Sequence, residues 1–217
     1  MDGVPAESCT IGEESALRGL FGQPGRLAAQ KTLHALDRHC RDFIARSPFL
    51  CLGTADAAGR ADVSPRGDRP GFVLVLDDRT LAIPDRPGNN RIDSMSNIVA
   101  NPNVGLLFLI PGFEDTLRVN GKAEIVRDPD LLDRTAVDGK RPKVAIRVAV
   151  EECFLHCAKA LKRSRLWEPE SRAERSVMPT LGQMILDQTA GAGAAPAETE
   201  VREADRLIDE NYRTQLY

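Results

Sequence analysis

From Thr116 to Val126 the chain alternates strictly: Leu117, Val119, Gly121, Ala123 and Ile125 are interleaved with Arg118, Asn120, Lys122 and Glu124. A period of two sends these sets to opposite faces of an extended backbone, so the run is a long strand with one wet face. Such a strand needs neighbours, and the chain supplies them in hairpin order. Phe49 to Ala55 reads as a strand, Asp56-Ala57-Ala58-Gly59 as its turn and Arg60 to Ser64 as the return. Phe72 to Leu76 and Thr80 to Ile83 form a second hairpin around Asp77-Asp78. Val104 to Ile110 carries no polar side chain and reads as a central strand buried on both faces. Lys143 to Glu151 alternates again, with Val144, Ile146, Val148 and Val150 inward, and can run on to His156.

Helical patterns lie around this β region. Leu33, Leu36, Cys40, Phe43 and Ile44 predict an amphipathic helix over Thr32–Arg46, ended by Ser47-Pro48. Ile92, Met95, Ile98 and Val99 predict a short helix from about Asn90, halted before Pro102. Asp128-Pro129-Asp130 caps a brief helix through about Thr135, and the pattern is helical again after Lys159. Successive hairpins with helices at the edges predict a mainly β, α+β fold, a closed antiparallel barrel rather than a βαβ sheet. The organisation expected is an N-terminal arm over 1–31, a barrel domain over 32–167 and a helical extension over 168–217. An Ala/Gly-rich linker falls near 190–197 within that extension.

Two polar stretches close apolar β runs: Ser64-Pro65-Arg66-Gly67-Asp68 and Pro84-Asp85-Arg86-Pro87-Gly88-Asn89-Asn90-Arg91. A strand end, a glycine turn and a helix N-terminus together offer backbone N–H groups, a positive dipole end and guanidinium groups, which are the parts of a phosphate holder. With Asn89 or Asn90 as N-cap, Arg91 falls in the first helical turn. A cation there opposes the helix dipole unless an anion offsets it. The competing reading is a plain Pro-Gly turn with exposed arginines, and for the first stretch a surface loop in which Arg66 and Asp68 pair weakly.

Other chemistries find less support. The 217 residues carry 29 Lys and Arg against 32 Asp and Glu, a net charge of -3, so no overall basic balance favours nucleic acid. The cluster Lys159, Lys162, Arg163, Arg165 reads as a solvated helix face or as a local anion patch. Cys153 and Cys157 flank His156 without a second ligand pair, and His34 and His39 do not share a helix face, so no metal site is expected. Gly-x-Ser-x-Gly, Walker-type and strand-linked Gly-x-Gly-x-x-Gly motifs are missing. The longest apolar run, Val104 to Pro111, is too short to cross a bilayer, and Met1–Pro5 does not begin a signal peptide. Five scattered cysteines, Cys9, Cys40, Cys51, Cys153 and Cys157, suit reduced thiols and a cytoplasmic location.

Taken in order, these pieces resemble the pyridoxamine 5′-phosphate oxidase-like, FMN-binding split β-barrel family. The resemblance rests on the Phe49–Ala55 strand, the Asp56–Gly59 turn and the Pro84–Arg91 turn. It also rests on the runs Ala100-Asn101-Pro102-Asn103-Val104-Gly105-Leu106-Leu107-Phe108 and Val119-Asn120-Gly121-Lys122-Ala123-Glu124. It implies a homodimer with FMN in a groove between subunits. Ser64, Arg66, Gly67 and Asp68 would then touch the flavin edge and phosphate, while Arg86, Asn89, Asn90 and Arg91 form the phosphate turn. Thr116 would hydrogen-bond the ring, and Arg163 and Trp167 would reach the partner's flavin. Asp68 stands roughly where true pyridoxamine phosphate oxidases carry Lys, Asn-Asn-Arg replaces their Ser-Arg-Lys, and their C-terminal Arg/His pair is not identifiable. The resemblance therefore implies a divergent FMN-dependent oxidoreductase of unassigned substrate, with no side chain standing out as acid or base. Alternatives are a non-catalytic flavin- or haem-binding protein, a haem role resting on His156, and an F420-dependent reductase, an option that the Lys159–Arg165 run leaves open.

Overall fold

The computed structural model describes residues 10–191 and 195–217; Cys9 and the middle of the Ala190–Ala197 linker lie outside them. Contacts divide the chain into two units, Met1–Thr32 and Leu33–Tyr217. The first contains α1 (Glu14–Phe21) and α2 (Arg26–Gln30), neither of which has a buried residue. The second opens with α3 (Arg38–Arg46), followed by β1 (Phe49–Ala55), β2 (Ala61–Gly67), β3 (Leu74–Val75) and β4 (Thr80–Pro84). Next come α4 (Asp93–Ala100), β5 (Asn103–Leu109), β6 (Thr116–Val126), α5 (Pro129–Arg134) and β7 (Ala145–His156). The unit ends with α6 (Lys159–Ser164), two short 3-10 turns, α7 (Leu181–Thr189) and α8 (Glu198–Thr214).

All seven strands form one antiparallel sheet in the order β2-β1-β5-β6-β7-β4-β3. The α+β character and the hairpin order are as the sequence pattern predicts. Closure is not by a backbone ladder, however, because the edge strands β2 and β3 do not pair. Instead Arg66 of β2 reaches Asp85 just beyond β4, and Asp68 just beyond β2 holds Arg86. The barrel is split, and side-chain ion pairs bridge the split.

The core lies on the inward face of the sheet, where Leu50, Leu52, Leu106, Phe108, Leu117, Val119, Ile146 and Val148 are sealed beneath α3 and α4. β6 follows the expected alternation, with Leu117, Val119, Gly121 and Ala123 buried and Arg118, Lys122 and Glu124 exposed. β5 differs from the expectation of burial on both faces. Val104, Leu106 and Phe108 are buried, but Gly105, Leu107 and Leu109 are only half-buried. The pairing register lines up Pro65, Cys51 and Leu107 in one outward row and Val63, Gly53 and Gly105 in the next, with Val63 68% exposed. The outer face of β2-β1-β5 is therefore apolar and small-residued, although no other part of the described chain seals it.

Two local departures have clear causes. The helix expected from Thr32 begins only at Arg38, because Leu33 exchanges backbone hydrogen bonds with Cys153 and the Leu36 N–H donates to Asp78. Asp37 then caps the shortened helix by accepting from the Cys40 N–H at 2.8 Å. β2 runs through Pro65 to Gly67 instead of stopping at Ser64. As an edge strand it has backbone positions with no ladder partner, where a proline costs no hydrogen bond.

β7 carries a bulge. Gly121 opposes Val150 while Asn120 opposes Glu152, so Glu151 is the extra residue and the inward set shifts from Ile146, Val148 and Val150 to Cys153. A Cβ on Gly121 would stand 2.1 Å from the Ala149 carbonyl oxygen, within backbone that cannot swing aside. Gly121→Ala should therefore destabilise the fold by about 1–3 kcal/mol through overpacking. Gly53→Ala meets only an ordinary contact at 3.5 Å and should cost far less. Urea denaturation of the two variants checks this, and equal midpoints would contradict it.

Candidate functional site

β2 and the turn after β4 lie across from each other and enclose a cleft of about 810 Å3. Both polar stretches singled out in the sequence converge there: Ser64, Arg66 and Gly67 from one side, and Arg86, Asn89, Asn90 and Arg91 from the other. Asp68 sits just behind, with a side chain only 2% exposed, and binds Arg86 at 2.6 Å. The loop before β7 adds Lys140, Arg141 and Lys143, which the sequence reading did not select. The signal was present as the compact basic run Lys140-Arg141-Pro142-Lys143 after the Asp138-Gly139 turn.

Ion pairs govern how these cations can act. Arg66 Nη1 meets Asp85 at 3.1 Å, but its Nε is buried and has no hydrogen-bond partner among the described residues. A buried N–H without an acceptor costs free energy, and an anionic ligand in the cleft would satisfy it. Arg86 is held at two of its nitrogens, donating from Nε to Asp68 and from Nη1 to the Thr135 carbonyl at 2.9 Å. Arg91 pairs with Asp93 at 2.7 Å, yet its side chain is 72% exposed, so that pair is weak and open to competition. Arg141 is tied to Asp133, whereas Lys143 has no carboxylate partner among the described residues.

Arg91 does not stand in a helical turn. α4 begins at Asp93, and its N-cap is Ile92 at φ 54 with no side-chain cap. Asn90 at φ 57 is also left-handed, so two such residues flank Arg91. A β-branched residue in this region is strained, by roughly 1–3 kcal/mol, and strain of this kind concentrates at binding sites. The expected conflict between Arg91 and the helix dipole is removed, because Asp93, an acid suited to that end, fills the first turn. Deeper in, Ser94 donates to Asp62 at 3.0 Å and fixes the helix start against β2.

Thr116, Arg163 and Trp167 are not brought to this cleft by their own chain. Thr116 opens β6 opposite His156, Arg163 lies on α6, and Trp167 Nε1 donates to the Phe113 carbonyl at 2.7 Å. Among the described residues, no group of three or more His, Cys, Asp or Glu is placed to hold a metal. No described helix is long and apolar enough to cross a membrane.

The family model described as pyridoxamine 5′-phosphate oxidase matches residues 36–157, more than half of the chain. The chain belongs to that family. Among solved structures, a family protein from Lactobacillus delbrueckii, described as a putative pyridoxamine 5′-phosphate oxidase, shares 23% identity. It covers 58% of this chain and 99% of its own, with a TM-score of 0.46. HupZ from Group A Streptococcus shares 20% identity over 55% of this chain and 92% of its own, also at 0.46. HutZ, the haem storage protein of Vibrio cholerae, shares 16% over 56% and 93% respectively, at 0.39. No curated protein sequence matches significantly. At these identities the chain is a divergent member of the pyridoxamine 5′-phosphate oxidase family.

Burial raises the Asp68 carboxyl, but hydrogen bonds from Tyr217, the Arg69 N–H and Arg86 outweigh it and hold the group below the ordinary carboxylate range. A carboxylate depressed on folding stabilises the native state fully above its unfolded pKa, and that contribution is lost as pH falls through its folded pKa. Asp68→Asn strands Arg86 and should cost about 3 kcal/mol near pH 7, with the gap to wild type narrowing below pH ~4. Arg91→Ala should leave stability nearly unchanged. Thermal unfolding of both variants across pH tests the contrast, and a pH-independent gap for Asp68→Asn would refute it.

Proposed function

We propose that the chain is an FMN-dependent oxidoreductase that works as a homodimer, with the cleft between β2 and the post-β4 turn as the cofactor site. The observation that supports this most is the meeting of the Ser64–Asp68 and Pro84–Arg91 stretches around a buried Arg66 N–H that lacks an acceptor. These residues fit a phosphate monoester. Arg66 and Arg91 are the guanidinium ligands, Asn89 and Asn90 shape the turn beneath them, and Lys143 adds a cation not committed to a carboxylate. Arg86, already bound to Asp68 and Thr135, holds the wall in place rather than gripping the phosphate directly.

When bound, FMN supplies hydride acceptance and delivery at its N5 position. The protein's part is to orient the ring, exclude water and supply fixed charge. On this reading Thr116, Arg163 and Trp167 serve the cleft of the partner subunit. Association would cover the outer face of β2-β1-β5, where Cys51, Val63 and Leu107 are otherwise left open to water. Cys40, Cys51, Cys153 and Cys157 are free thiols, in keeping with a cytoplasmic protein. The substrate remains a small molecule of unassigned class.

Heating the native protein and identifying the released molecule by mass spectrometry tests the cofactor directly; a haem or a deazaflavin in place of FMN would overturn it. Arg91→Ala should weaken FMN binding about ten- to hundredfold, because it removes a charge-assisted hydrogen bond. Unchanged flavin occupancy would argue against the phosphate assignment. Light scattering should give roughly twice the chain mass, and Leu107→Glu should yield monomers that no longer retain flavin. A wild-type monomer holding flavin would exclude the shared groove.

A further inference from the structure

The cleft already contains an aromatic side chain from a distant part of the sequence. Tyr217 lines it, donates its Oη to Asp68 at 2.7 Å, and lies with its ring centroid 5.7 Å from the Arg86 guanidinium carbon. Its main-chain oxygen accepts from Lys140 Nζ at 2.9 Å. These contacts use Arg86 and Lys140 from the cleft lining and Asp68 from just behind it, each in a manner suited to it. Asp68 is almost fully buried and accepts a hydrogen bond, Arg86 offers a cation beneath a π face, and Lys140 donates to the tyrosine's main-chain oxygen.

We propose that Asp68 and Arg86 form a subsite for a planar aromatic ring bearing an O–H or N–H donor, and that Tyr217 fills this subsite until a ligand displaces it. This rests on the reading of the cleft as a ligand site and adds the chemical class of one part of what enters it. The ring must carry a donor because an ionised carboxylate only accepts, and Asp68 stays ionised at neutral pH. A ring without a donor would leave that carboxylate buried and short of a partner. Tyr217 thereby sets the apparent affinity of the cleft, since any ring entering the subsite must first release the phenol.

The test uses the full chain and two probes of similar size: p-cresol, which has the donor, and 4-methylanisole, which lacks it. Ligand-observed NMR should show Tyr217→Ala binding p-cresol about tenfold or more tighter than 4-methylanisole. Wild type should bind p-cresol more weakly than Tyr217→Ala. Tyr217→Phe, which keeps the ring over Arg86 but loses the phenol, should fall between them. The subsite is refuted if Tyr217→Ala binds both probes alike or neither, or if wild type binds p-cresol as well as Tyr217→Ala does. FMN titrated against the same proteins separates the two readings. p-Cresol discrimination without FMN binding leaves the subsite standing and removes the flavin. FMN binding without p-cresol discrimination does the reverse.

Discussion

The ion pair between Asp68 and Arg86 organises this molecule. A sheet of seven strands with two unpaired edges would be free to splay, and nothing in the backbone ladder joins β2 to the β3–β4 side. Asp68, at the end of one edge strand, receives Arg86 from beyond β4, and Arg66 repeats the connection one step away with Asp85. Both ions of the first pair are largely withdrawn from water, a costly arrangement that holds only because further hydrogen bonds complete it. Asp68 also accepts from Tyr217 and from the Arg69 N–H, while Arg86 also donates to Thr135. The same contacts that hold the split barrel together also form the back wall of its cleft. Fold and site therefore share one set of interactions.

This sharing divides the cationic residues by role. Arg86 is locked by partners on several sides, while Arg91 is loosely held by one exposed carboxylate and Lys143 by none among the described residues. Arg66 lies between these cases, paired at its tip and unsatisfied at Nε. Arg86 cannot easily give up Asp68 and Thr135 to a phosphate, so the rim of the cleft has to do the capturing of that group. The left-handed Asn90 and Ile92 around Arg91 fit that division, because strained backbone persists only where its surroundings impose it.

Much of the fold was legible in the sequence because the inward face leaves a period of two that needs no context to read. β1, the Asp56–Gly59 turn, β6 and the Asp128-capped α5 fall where alternation, turn chemistry and capping place them. The misjudged elements are those that tertiary contacts decide. The Leu33–Leu36 segment has helical spacing but spends its hydrogen bonds on β7 and the β3–β4 turn. Pro65 looks like a break until the strand that holds it is known to be an edge. In the cleft, residues 64–68 and 84–91 were visible as local chemistry, whereas the role of Arg86 was not, since its partner lies eighteen residues away. Tyr217 was beyond reach for the same reason, with 149 positions separating it from Asp68.

The bulge at Glu151 has a consequence for how this architecture tolerates change in length. Because β7 switches phase there, its N-terminal half presents one parity of residues to the interior and its C-terminal half the other. Deleting the extra residue, Glu151, would leave Val150, Glu152 and Cys153 in plain alternation with both halves on their present faces, whereas a deletion in the regular part of the strand, such as at Val148, would turn the residues on one side of it inside out. The bulge is thus the point of β7 that tolerates the loss of a residue, while the regular stretches on either side keep the register with β6 and β4.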